Sequence, residues 1–288
     1  MNLISILIAL AVETYYKPVS NYRRYDWFFT YVEKLYKQMA SQSWRNGPFG
    51  VMIIVGLVIS GVWLIDAMLN GVAGVFSFVF GLAVLIYCLG PKDLLDDVHQ
   101  FTDALQDEDK DNANRSASEI LGMDVDDEPE NLATQVRESI VITANIRVFG
   151  VIFWFMILGP VGAALFRMAC LLKRHPSIHN NDFNSVTDRL YDIMLWPSAR
   201  LTVIGFALTG SFVDTISNWR NGTDFWQRGS EELLVVSANG AIRHEQDTEA
   251  DESTVRIDSI NNVLALVKRT LIVWLATLAL MTLAGWIL

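Results

Sequence analysis

The residues of this chain best placed to do chemistry are charged side chains in apolar surroundings. Glu13 closes the run Leu3–Val12, Asp66 sits near the end of residues 49–69, and Arg147 and Arg167 flank or lie within 149–172. Asp192 and Arg200 fall in the less apolar stretch 190–213. A charge at membrane depth is costly, so it meets an opposite charge, water or an anionic ligand. An arginine is suited to either role because its guanidinium offers a fixed fork of donors. These residue types predict a ligand site built from Glu13, Asn145, Arg147, Asp192 and Arg200. Asp66, Pro160, Arg167 and Pro197 are expected to act structurally, as intramembrane charges and kinks. Glu13, Asp66 and Asp192 are the counter-charges to hand. Each has a plainer reading: Glu13 and Asp66 as interfacial carboxylates, the arginines as members of structural ion pairs.

Other chemistry finds little footing. His175 and His179 have i,i+4 spacing, but Pro176 disfavours a regular helix across them and no third ligand is near, so no metal is expected. No Walker A pattern, Gly-x-Ser-x-Gly elbow, Cys-x-x-Cys pair or Gly-x-Gly-x-x-Gly turn occurs, so no catalytic residue and no cofactor is assigned. Cys88 and Cys170 lie in apolar runs, where a thiol behaves as a small hydrophobe. The net charge of −10 argues against nucleic acid as a partner. The acids between Asp107 and Glu130 lack the central glycine and closing glutamate of an EF-hand and read as a solvated loop. The sequon Asn221-Gly-Thr223 carries no meaning if the host is bacterial and that loop is cytoplasmic.

The elements that must position these side chains are membrane helices. With 52% hydrophobic residues among 288, the apolar residues collect in long runs separated by segments rich in Asp, Glu, Asn and Arg. Residues 49–69 and 72–89 each approach the roughly 20 residues needed to cross a bilayer, and Asn70-Gly71 between them predicts the turn of a helical hairpin. Residues 149–172 read as a further span interrupted by Gly159-Pro160, and 271–288 as the last. Leu3–Val12 predicts a short first helix reaching Tyr16, and 190–213 a partly buried helix or short span. Leu94, Leu95, Val98, Phe101 and Leu105 recur at helical spacing beside aspartates, and 132–148 gives a second amphipathic helix.

The fold class expected is therefore all-α, a polytopic membrane helical bundle with amphipathic cytoplasmic helices. It forms a single membrane domain over 1–288, with an acidic amphipathic cytoplasmic region at 92–148 and a second cytoplasmic loop region at 214–268. The basic residues of 17–45 place that segment in the cytoplasm. Lys173, Arg174 and Arg189 stay on the same side only if the Gly-Pro break makes 149–172 a re-entrant pair; both topologies are open at this point.

In order, the chain shows Glu13, the basic aromatic segment Arg23-Arg24-Tyr25-Asp26-Trp27, a hairpin, an acidic amphipathic region, and Asn145-x-Arg147 before a Gly-Pro-broken span. Then come Trp196-Pro197-Ser198-Ala199-Arg200-Leu201, Gly210-Ser211-Phe212 and Lys268-Arg269-Thr270-Leu271. This order resembles the AmpE family, inner-membrane proteins of Gram-negative bacteria linked to β-lactamase induction. AmpE is in turn similar to adenosylcobinamide-phosphate synthase, the membrane enzyme that joins an amino-alcohol arm to a corrinoid carboxyl in cobalamin synthesis. The synthases carry a Gly-Asp-Pro and a Pro-His-Pro signature after their first helix, where this chain reads Glu13-Thr-Tyr-Tyr-Lys-Pro-Val-Ser-Asn. Arg147 stands near one of the acidic positions of the synthases, and Pro197 and Arg200 are one residue further apart than in their pattern.

The first resemblance implies an inner-membrane, multi-pass signalling or accessory protein linked to β-lactamase induction and cell-wall stress, without catalysis. Its partners would be the lipid bilayer and an anionic small molecule or peptidoglycan-derived ligand, with self-association open and nucleic acid excluded. The second implies a membrane-embedded ligase-like enzyme of the cobinamide-phosphate-synthase type. A small transporter subunit is a third reading; no pair of inverted halves with matching breaks supports it.

Overall fold

The computed structural model describes residues 2–15, 25–39, 43–90, 94–125, 129–174, 181–220, 225–242 and 252–285. Among these every regular element is helical, so the fold is all-α. The helices are α1 (Asn2–Tyr15), α2 (Asp26–Gln38), α3 (Pro48–Val72), α4 (Gly74–Cys88), α5 (Leu94–Gln106), α6 (Lys110–Leu121) and α7 (Pro129–Ala144). They continue with α8 (Gly150–Lys173), α9 (Asn181–Thr209), α10 (Phe212–Arg220), α11 (Ser230–Ala241) and α12 (Glu252–Leu283). Three stretches, Pro48–Gly71, Asn131–Lys173 and Thr254–Leu283, are long and apolar enough to cross a membrane. Phe49, Met52, Leu57, Trp63 and Met68 of α3 and Ile272 and Leu280 of α12 are exposed, a surface suited to lipid rather than water.

The chain forms two compact units. The first contains Met1–Pro91, Ile146–Ser198 and Leu278–Leu288. Its core is sealed by α2, whose apolar stripe of Phe28 and Val32 packs with Val51, Ile54 and Val55 of α3 and Met168, Leu171 and Leu172 of α8. This explains why a helix of nearly zero net hydrophobicity is ordered: one face carries the aromatics, the other Glu33, Lys34 and Lys37. Pro48 at the first turn of α3 suits a position whose N–H has no helical partner. The hairpin turn lies later than expected. Asn70 and Gly71 remain helical, and the break comes at extended Ala73 (φ −164°, ψ 136°), so α3 gains most of a turn. Near the hairpin tip, Ser77 Oγ donates to Asp66 at 2.8 Å, giving that carboxylate a partner in the neighbouring helix.

The broken span decides the topology of this unit. Gly159 has φ 63° and ψ −147°, a conformation that only glycine adopts readily, and Pro160 follows it. A straight helix would separate Arg147 from Arg167 by about 30 Å, well beyond the reach of two side chains. Both guanidinium groups nevertheless border the space over the Gly90 Cα. The two halves of 150–173 therefore run back on one another as a re-entrant pair, although length and apolarity alone would let this stretch cross. Lys173 and Arg174 end the returning half. Gly81 of α4 faces this turn, where a Cβ would lie in ordinary contact, 3.9 Å from Phe155 and 4.0 Å from Pro160.

The second unit contains Lys92–Asn145 and Ala199–Thr277. The acidic block holds a helix, α6, where a solvated loop was expected. Asp109 caps it by accepting from Asn112 N at 3.1 Å, and Gly122 closes it in the left-handed region. Ala113 and Ala117, four apart, bury its one apolar stripe, while α5 buries Val98, Phe101 and Leu105. Leu132, Val136 and Ile140 supply the matching face of α7. Helix α12 starts some twenty residues before the apolar run expected to end the chain.

Candidate functional site

In the first unit, α4, the start of α2 and the re-entrant pair converge on Gly90. Here α4 has ended and the backbone takes φ 104°, a left-handed conformation that favours glycine. A side chain there would collide with Arg167 Nη2 and lie 3.0 Å from Arg147 Nε. Two guanidinium groups thus occupy the space that a Cβ would need. A π-turn over Asn145–Phe149 precedes the re-entrant pair and carries Arg147, whose Nε faces the Leu89 carbonyl at 3.5 Å. Such an extra residue per turn re-aims side chains and recurs at functional sites.

Arg167 is buried to 5% exposure. Its Nε donates to Tyr25 Oη at 3.0 Å, and its guanidinium lies over the Tyr25 ring, 5.0 Å from the centroid. Tyr25 passes the contact on: its hydroxyl donates to the Tyr87 carbonyl at 2.8 Å, and Trp27 Nε1 donates to Tyr87 Oη at 2.6 Å. Burial raises the Tyr25 phenol above its ordinary value, with Arg167 pulling the other way. The phenol therefore stays protonated through neutral pH and holds Arg167 in place as a neutral hydrogen-bonding group. The re-entrant pair is anchored separately by Trp154 Nε1, which donates to the Met194 carbonyl at 2.9 Å, one turn before Pro197 of α9.

Of the residues expected to form the ligand site, Arg147 borders Gly90 in the first unit. Asp192 is exposed, and Glu13 is half-buried at the end of α1. Asn145 is fully buried and begins the π-turn. Arg200 belongs to the second unit, where it clamps the approach to α11. Its Nη1 donates to Ser230 Oγ at 2.7 Å, and its Nη2 donates to the carbonyls of Arg228 at 2.8 Å and Trp226 at 3.4 Å. Those acceptors are neutral, as befits a residue that tethers a loop. Of the residues expected to act structurally, Arg167 meets Arg147, Asp66 meets Ser77, and Pro160 and Pro197 sit within helices. Gly90 and Tyr25 were not singled out. Their signals were Leu89-Gly90-Pro91 after an apolar run and the basic aromatic segment before α2. Among the described residues no group of three His, Cys, Asp or Glu side chains could hold a metal; His175 and His179 lie outside them.

Comparison with known proteins decides the family. The model of the CobD/Cbib protein family matches residues 6–243, most of the chain and parts of both units. The chain belongs to the CobD/Cbib family. A similar curated protein is the cobalamin biosynthesis protein CobD of Stutzerimonas stutzeri, 24% identical over 215 residues, which cover 73% of this chain and 70% of that one. Another is the cobalamin biosynthesis protein CobD of Chromobacterium violaceum, 26% identical over 170 residues. That match covers 58% of this chain and just over half, 54%, of the relative. No solved structure matches.

These findings correct the functional expectation. A signalling role in β-lactamase induction followed from the AmpE resemblance, whereas the family is CobD/Cbib and its curated relatives are named for cobalamin biosynthesis. The finer likeness to AmpE has no support among these matches. Its main motif, Trp196 to Leu201 followed by Gly210 to Phe212, reports helix geometry: a Pro-bearing helix, a buried arginine and a Gly-Ser break. Such features define a shared scaffold without defining its task.

Proposed function

We propose that this CobD/Cbib protein is a membrane-embedded, ligase-like enzyme of cobalamin biosynthesis. It would act on a corrinoid carboxyl and an amine-bearing arm, at the cytoplasmic face of the bacterial inner membrane, which the chain crosses several times. The observation that carries this reading is the family match over residues 6–243, since it takes in the hairpin, the re-entrant pair and the helices of the second unit together. The cluster of Arg147, Arg167, Tyr25 and Gly90 is the natural seat of a polar substrate group: it is charged, largely enclosed and rigidly framed. The Gly-Asp-Pro and Pro-His-Pro signatures of the synthases are replaced after α1, which points to an arm or activating partner different from theirs.

The test is replacement of CobD in a bacterium lacking it, together with corrinoid binding by the purified protein, followed by co-elution of the visible corrin absorbance. Restored cobalamin synthesis, or saturable corrinoid binding without it, supports the reading. A protein that inserts and folds, restores nothing and leaves corrinoids unbound is not such an enzyme.

A further inference from the structure

We infer that the outer face of α9 from Leu201 onward, with the first turn of α10, is seated against lipid acyl chains, so that the second unit carries a membrane face beside α12. Between Ala199 and Val213 every exposed residue is apolar: Leu201, Ile204, Leu208, Phe212 and Val213, with Gly210 among them. Leu208 is 63% exposed and Val213 74%. The polar residues of the same stretch turn inward. Arg200, Thr202 and Ser211 are buried, and Thr209 is half-buried. A face meant for water has the reverse pattern, whereas in a bilayer the polar side chains look into the protein. The one charge between Ile193 and Val213 is Arg200, and its donors go to Ser230 and to two backbone carbonyls. Residues 193–209 are also long enough, as helix, to reach through most of a hydrocarbon core. Average composition hides this helix from the stretches apolar enough to cross, because inward polar groups count against it as heavily as outward ones would.

Lipid is the occupant because α9 lies along α12, whose stretch Thr254–Leu283 is long and apolar enough to cross a membrane. A Cβ at Gly205 would lie 2.6 Å from Thr270 Cγ2 and 3.4 Å from Trp274 Nε1, and the hydroxyls of Thr209 and Thr270 share a hydrogen bond of 2.9 Å. A small residue at the crossing and a hydroxyl pair across it are how helices join inside a membrane. Two residues beyond that contact α12 itself exposes Ile272. The apolar face ends where α10 begins: the next exposed residue is Asp214, which accepts a hydrogen bond from Ser211 Oγ.

The experiment places single nitroxides on the full chain in phosphatidylcholine nanodiscs, through Leu201→Cys, Ile204→Cys, Leu208→Cys, Val203→Cys and Asn262→Cys, in a background with Cys88 and Cys170 replaced by alanine. Collisions with oxygen, which concentrates among acyl chains, and with a water-soluble nickel chelate are read by power saturation. Oxygen collisions are expected to exceed nickel collisions severalfold at 201, 204 and 208 and to fall below them at exposed Asn262 on the first turns of α12, while fully buried Val203 meets little of either. Nickel exceeding oxygen at 201, 204 and 208 makes the face aqueous and overturns the inference. Low collision rates for both probes there, with spin–spin broadening, mean that a second copy covers the face, and overturn it too. Equal oxygen collisions at Val203 and Ile204 would leave α9 without an inner face and have the same consequence.

Discussion

Replacing Gly159 with alanine isolates the force that turns 150–173 back on itself. A Cβ at this position meets nothing within 4 Å, so no collision enters the result. What remains is the backbone cost of φ 63° and ψ −147° for an L-residue, about 1–3 kcal/mol. That is a factor of roughly 5–150 in the ratio of folded to unfolded protein. Gly61→Ala in α3 is the matched control, since it too meets nothing within 4 Å but sits in a regular helix. There the change should stabilise by about 0.5–1 kcal/mol. The opposite signs would be read from far-ultraviolet circular dichroism during titration of dodecyl maltoside micelles with sodium dodecyl sulfate. Topology supplies an independent measurement. In a background with Cys88 and Cys170 replaced by alanine, single cysteines at Val148 and Arg174 should react with an impermeant maleimide from the same side of the membrane. Labelling from opposite sides, or equal stability shifts for the two alanines, would refute the re-entrant pair.

The second unit offers further tests. Arg200→Met should cost about 1.5–3 kcal/mol through three lost hydrogen bonds and speed proteolysis around Trp226, with Arg200→Lys recovering part of it. Gly205→Ala places a Cβ 2.6 Å from Thr270 Cγ2, so α9 and α12 must separate or Thr270 must turn away from Thr209, lowering the thermal midpoint by the equivalent of about 1–3 kcal/mol. The Asp109 carboxylate is held below its ordinary 3.8 by the hydrogen bonds from Asn112. Its folded value is the lower one, so its support of α6 is complete above pH about 4 and is lost as pH falls through the folded value. Hydrogen exchange across 110–121 should accelerate on acidification in the wild type, and Asp109→Asn should blunt that dependence.

The apolar runs were legible because transfer from water to hydrocarbon depends on local composition, and a helix satisfies its own backbone wherever it lies. So 49–69, 72–89 and the amphipathic stripe of α5 could be read from neighbouring residues alone. The glycine and proline at 159–160 announced a break; its angle followed only from which helices it had to meet. Arg147 and Arg167 read as separate charges because twenty residues of helix should hold them apart, and only the reversal at Gly159 brings both to Gly90. Tyr25 and Gly90 become partners of those arginines through packing across α2, α4 and the re-entrant pair, contacts between segments distant in the chain. Residue order fixed which stretches are helical and oily. Three-dimensional packing chose which charges share a space, because that choice depends on the direction each helix takes after it turns.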